Sequence, residues 1–132
     1  MKNIFLAIAL LLTCAPSGFR QGNPVEKEKF VFLNNGVTVG MIINSVLKAD
    51  KQRLKLTGAQ LPKARQIITD ATVKYIEGVK KLKVSGLNQK KLRVLAIAVE
   101  TEKARNYEGV LSPQQYRLLA ANHNKTYPES KL

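Results

Sequence analysis

Three observations predict an all-α fold. Leu61, Ala64, Ile68, Ala71, Tyr75, Val79 and Leu82 recur every three or four positions for about six turns, the spacing that turns one helix face toward a core. After a break at Val84-Ser85-Gly86, a second run with the same spacing follows: Leu92, Leu95, Ala96, Val99, Lys103 and Tyr107. A five-residue phrase, Leu-Thr/Ser-x-x-Gln, is written twice, as LTGAQ from Leu56 and as LSPQQ from Leu111, and each copy reads as a helix start. The expected architecture is a short first helix, two long antiparallel helices joined near Ser85-Gly86, and a short closing helix.

The chain opens MKNIFLAIALLLTCAPSG, with Lys2 ahead of an apolar run from Ile4 to Leu12 and small residues at Ala15, Ser17 and Gly18. A charged start, an apolar run of about seven to fifteen residues and a small-residue cleavage zone make a secretory signal peptide. The run is shorter than the roughly 20 residues that a membrane-spanning helix needs. Residues 1–20 are read as a cleaved signal and set aside from the fold. Cys14, the only cysteine, lies in this zone. Two fates stay open for it: lipidation, as in a bacterial lipoprotein, for which Thr13 is a poor neighbour, or removal by cleavage after Ser17 or nearby. If it is removed, the mature chain has no thiol and no disulfide framework, and packing alone must hold it together. About 110 residues remain, one domain by length. So small a domain buries a modest share of its surface, and dimerisation would help it.

Residues 21–38 carry loop signals at Gly22, Pro24 and Gly36 around a short apolar run, Phe30 to Leu33. They read either as a small hairpin turning at Asn35-Gly36 or as an irregular arm packed on helices. The arm is favoured, because an isolated two-stranded hairpin is marginal in water. Helical spacing begins at Val39 and continues through Ile42, Ile43, Val46 and Leu47 to about Arg53. In the second helix, Ile67 and Ile76 widen the apolar stripe, and Lys63, Asp70, Lys74, Glu77 and Lys81 occupy the opposite face. Asp70–Lys74 and Glu77–Lys81 have the favourable acid-first i,i+4 order. Asn88 is a good N-cap for the third helix, and Gly109 ends it. The fourth runs from Pro113 to about Asn122 with Tyr116, Leu119 and Ala120 inward. The tail, residues 125–132, has no periodicity and reads as disordered.

Local physics explains the repeated phrase first. Thr57 reads as an N-cap with Gln60 at N3: the hydroxyl accepts from the N3 amide and the glutamine reaches back to the cap amide, a capping box. Leu56 and Leu61 flank it as a hydrophobic staple. Ser112 and Gln115 repeat the box, Pro113 fills the first helical position where its missing N–H costs nothing, and Leu111 and Tyr116 form the second staple. Together with the signal peptide and the basic, all-helical chain, the paired phrases resemble the LTxxQ motifs of the Spy/CpxP family of periplasmic chaperones. Leu56-Thr57-Gln60 matches that motif in full; Leu111-Ser112-Gln115 matches with Ser for Thr. The resemblance covers roughly residues 40–122, within a helical LTxxQ-like domain read as residues 39–124. It implies a cradle-shaped homodimer in the Gram-negative periplasm that binds unfolded proteins without ATP, or a relative that senses envelope stress. Residues 19–39 match nothing in that family's pattern.

Lys plus Arg number 22 against 9 Asp plus Glu, a net charge of +13. Such a balance usually points to nucleic acid, but an exported chain does not normally meet it. The remaining partners are unfolded or acidic proteins, anionic lipid headgroups and lipopolysaccharide. No acid falls between Glu77 and Glu100, an interval holding Lys80, Lys81, Lys83, Lys90, Lys91 and Arg93. In the expected hairpin these six gather at one tip, as a client- or anion-binding surface or simply a solubilising one. Lys90, Lys91 and Arg93 oppose the dipole of their own helix, at about 0.3–1 kcal/mol each at low salt. Catalytic signals are missing: His123 is the only histidine and reads as a capping or solvated side chain. No His/Cys/Asp/Glu cluster has metal spacing, and no nucleophile elbow or phosphate loop occurs. The sequence therefore predicts a binding protein without cofactor or metal and not an enzyme. The two readings of its partner are an ATP-independent chaperone for unfolded or acidic clients, and an envelope protein that holds an anionic surface through the hairpin tip.

Overall fold

A computed structural model describes residues 24–29 and 36–132; the expected signal peptide, Cys14 and parts of the arm lie outside the described residues. Among the described residues four helices follow in order: α1 Val39–Leu54, α2 Leu61–Ser85, α3 Gln89–Glu108 and α4 Pro113–Thr126. Among the described residues there is no strand. The arm contributes a 3-10 turn at Pro24–Lys27 and an isolated antiparallel bridge between Lys29 and Thr38. Arg65 ties this arm down, donating to Glu26 at 2.7 Å and to Asn44 of α1 at 2.6 Å.

The frame is the α2–α3 hairpin. Its chain reverses at Gly86, whose φ of 111° lies where side chains are strained, and Asn88 restarts the helix by accepting the Lys91 amide at 2.8 Å. Gly78 lets the two helices approach: a Cβ there would stand 2.5 Å from Leu95 Cδ1. Lys74 of α2 pairs across the hairpin with Glu102 of α3, while Asp70 accepts from Gln66 at 2.9 Å, so the expected Asp70–Lys74 pair gives way to a link between helices. α1 packs on α2, and α4 packs on both α3 and α1.

Two apolar clusters make the core. Val39, Ile43, Ile68 and Ile76 form one; Leu54, Leu56, Ala64 and Tyr107 form the other, and Leu47 touches both. Beside the second cluster lies a buried ionic network absent from the sequence-based reading. Asp50 is 3 % exposed, accepts from Tyr107 Oη at 2.8 Å and from Arg53 at 2.8 Å, and has Lys103 Nζ at 3.4 Å. A buried carboxylate is tolerated only when paired and hydrogen-bonded in this way.

Three local expectations are corrected. Regular α2 begins at Leu61, not just after Thr57: residues 57–60 form a turn closed by Gln60 N–H to Thr57 O at 3.0 Å. Pro62 lacks the N–H that would donate to Gly58 O, so the helical ladder cannot start at Thr57. The tail is not structureless. α4 continues to Thr126, and the chain folds back so that Glu129 meets Arg93 at 2.6 Å, Ser130 Oγ meets Thr101 Oγ1 at 2.9 Å and the Leu132 amide meets Asn124 at 2.7 Å. His123 is buried rather than solvated, its Nε2–H donating to Ser130 O at 2.8 Å.

Burial, then the Asp50 charge and hydrogen bond, push the Tyr107 phenol well above its ordinary value. In the unfolded chain the phenol titrates near pH ~10, whereas the folded chain keeps the proton to higher pH. The folded state then binds more protons, so stability is intact below that pH and falls as pH rises above it. Tyr107→Phe should be about 1–2 kcal/mol less stable at neutral pH and should lose less on alkalinisation than the wild type, as read by thermal unfolding. Asp50→Ala, which strands the Lys103 ammonium, should cost about 3–5 kcal/mol.

Candidate functional site

The two copies of the repeated phrase meet. Gln60 and Gln115, 55 residues apart, face each other carboxamide to carboxamide: Gln60 Nε2 donates to Gln115 Oε1 at 2.8 Å and Gln115 Nε2 donates to Gln60 Oε1 at 3.0 Å. Each oxygen also accepts its own motif's amide, Thr57 N–H at 2.9 Å and Ser112 N–H at 2.8 Å. Each nitrogen also donates to the backbone that precedes the other motif: Gln60 to Val110 O at 3.0 Å, Gln115 to Leu54 O at 3.1 Å and Lys55 O at 3.2 Å. Lys55 and Val110 hold the same place, two residues ahead of Thr57 and Ser112. The arrangement is thus a local two-fold, with each motif reading the other's turn. Lys55 reaches it from a left-handed backbone (φ 54°) at the end of α1.

The second copy is a complete capping box, with Ser112 Oγ accepting the Gln115 amide at 3.2 Å; the first keeps only the half made by the glutamine side chain. Leu56 is buried in the Leu54–Tyr107 cluster and Leu111 packs on the same cluster. All six motif residues therefore stand around one corner, where they have a structural task.

Away from that corner a half-open groove runs between α1 and α3, floored by α2 at one end and by α4 at the other. It has two lobes that share Val46, Glu100, Lys103 and Tyr127. The first, about 270 Å³, has apolar walls from Ile42, Ile68, Ala71, Tyr75, Ala96 and Val99. The second, about 290 Å³, is polar, with Asp50, Arg53 and His123. Where they join, the Lys103 ammonium stands 3.4 Å from Asp50 and 3.9 Å from Glu100, beyond good hydrogen-bond distance. Tyr127 of the tail closes one side. Its phenol is pushed up by burial and by the Glu100 charge. None of these groove residues except His123 was singled out as a candidate in the sequence. The apolar spacing that marks them also marks a core, and spacing cannot tell a filled interior from a groove.

The hairpin tip holds five of the six expected basic residues. Lys80, Lys81, Lys83, Lys90 and Lys91 are exposed around Gly86. Arg93 is drawn away: it binds Glu129 through Nε at 2.9 Å and Nη2 at 2.6 Å, and lies over the Tyr127 ring. That hydrogen bond holds the Glu129 carboxyl below its ordinary value. The sequence put Arg93 in the cluster because the tail was not expected to fold back. Among the described residues no group of three or more His, Cys, Asp or Glu side chains is arranged to hold a metal ion.

No protein-family model, no curated protein and no solved structure matches this chain.

Removing one glutamine breaks the carboxamide pair and takes from its own motif's amide and from the facing turn's carbonyl the side chain that bonds them. Gln60→Ala and Gln115→Ala should each cost about 1–3 kcal/mol in denaturant unfolding. The double variant should cost less than the two singles together, with a coupling of about 0.5–3 kcal/mol.

Proposed function

We propose that the protein is an exported, ATP-independent chaperone-like binder of unfolded or acidic polypeptides in the cell envelope, working as a homodimer, as its resemblance to the Spy/CpxP family implies. The observation that carries the reading is the groove between α1 and α3. Its apolar lobe can take one or two apolar side chains of an unfolded chain, and its polar lobe offers the exposed ends of Arg53 and Glu100 to the client backbone and charges. The lysines of the tip supply long-range attraction, which speeds encounter with acidic clients before apolar contacts hold them. No step calls for a nucleotide, a metal or a covalent intermediate.

An aggregation assay without ATP tests this, with a chemically unfolded acidic client and a basic one followed by light scattering. Both should be protected at substoichiometric to stoichiometric protein, the acidic one more strongly. Its advantage should shrink at high salt, where exposed charges are screened beyond a Debye length of about 10 Å or less. Ala96→Trp, which fills the apolar lobe, should remove most protection while circular dichroism shows the same helix content. Absence of protection at several-fold excess of the chain sinks the reading.

A further inference from the structure

The far end of the α2–α3 hairpin is built as if for a partner. From Lys80 to Ala98 no side chain is buried, although the stretch includes Leu82, Val84, Leu87, Leu92, Val94 and Leu95. Val84 is 91 % exposed and Leu87 is 42 % exposed, and they flank the turn at Gly86. Lys80, Lys81, Lys83, Lys90 and Lys91 surround them. Lys90 and Lys91 lie in the first turn of α3, where the helix dipole favours acids. Lys91 donates to Gly86 O at 3.2 Å, and among the described residues Lys80, Lys81 and Lys90 enter no ion pair.

We propose that this tip docks on an anionic phospholipid bilayer, with Val84 and Leu87 entering the boundary between headgroups and acyl chains and Lys80, Lys81, Lys90 and Lys91 lying over lipid phosphates. Shape and charge together select that partner. Val84 and Leu87 stand exposed on the turn of a helical hairpin, an apolar wedge to which a bilayer yields. Lys80, Lys81, Lys90 and Lys91, in a stretch of sequence with no acid from Gly78 to Val99, match a negative plane and gain from each phosphate they meet. Among the described residues no helix is long and apolar enough to cross a membrane, so the contact is made at the surface. The inference shares the tip lysines with the client reading but uses neither the groove nor an unfolded protein.

The chain contains no Trp, so Leu87→Trp places a single fluorophore at the tip. An apolar run such as Ile4 to Leu12 partitions into bilayers by itself, which is why the readout sits on the tip and not on total binding. The full chain carrying Leu87→Trp is mixed with vesicles of phosphatidylcholine alone or with added phosphatidylglycerol. The emission should shift to the blue with the anionic vesicles, revert at high salt and stay unshifted with phosphatidylcholine alone. Each lysine is worth about fivefold in partitioning, so adding Lys80→Glu, Lys81→Glu, Lys90→Glu and Lys91→Glu should weaken the tip signal more than about a hundredfold while helix content is unchanged. The proposal is overturned if the anionic vesicles give no shift, or if the shift survives charge reversal. It also fails if an unfolded acidic protein or lipopolysaccharide shifts the emission and phospholipid does not.

Discussion

The mutual hydrogen bonding of Gln60 and Gln115 is the constraint on which the arrangement of the helices rests. α1 enters α2 through one turn and α3 enters α4 through another, and the two carboxamides pin these turns together. With that end closed, α4 is held beside α1, and the hairpin of α2 and α3 extends away from the corner. A helix pair fastened at only one end can leave space along its length. The groove between α1 and α3 occupies that space, bounded near the pinned corner by the Asp50–Tyr107 bond and on its flank by Tyr127.

Charge is handled in three different ways along the molecule. Around Asp50 it is buried and matched, with a phenol, a guanidinium and an ammonium converging on one carboxylate. Across the hairpin and at the tail it is paired at the half-exposed surface, Lys74 with Glu102 and Arg93 with Glu129, where pairs contribute little and serve mainly to fix register. At the tip, Lys80, Lys81 and Lys90 enter no ion pair among the described residues. The first mode restricts which side chains fit together, and it narrows the ways the two long helices can slide. The last has no such role in the fold, and that contrast gives the tip its interest as a contact surface.

Helix content and order were legible because the apolar spacing of α2 and α3 is long and the boundary residues are chemically explicit: Asn88 caps, Gly86 reverses and Ser112 with Pro113 and Gln115 starts a helix as read. The inward side of α3, down to Lys103 and Tyr107, followed from spacing alone. Other features depend on contacts between residues far apart in the chain. That Gln60 binds Gln115 is a fact about two turns meeting. The sequence showed that the phrases match and could explain each as a cap, but not that they interlock. Asp50 looks like one more acid on a polar face until Tyr107 and Lys103 arrive from α3. The tail has no periodicity, so its order could not be read; it comes from single contacts at Tyr127, Glu129 and Ser130 with α3 and α4. Pro62 is the one local signal whose weight was missed, since a capping box read at Thr57 ignores the donor that Pro62 lacks.

The glutamine pair closes a loop of 55 residues in a chain with a single cysteine, a task that secreted domains often give to a disulfide. The two kinds of closure differ in what defeats them. A covalent link persists in the unfolded chain and stabilises largely by restricting it. A carboxamide pair vanishes with the fold, does not constrain the unfolded ensemble and adds its whole effect to the native side. Thiol reductants have nothing to act on at this corner. Urea, itself an amide that competes for the same donors and acceptors, acts on it directly. The corner is therefore indifferent to redox state and sensitive to solutes that solvate amides, the reverse of a disulfide closure.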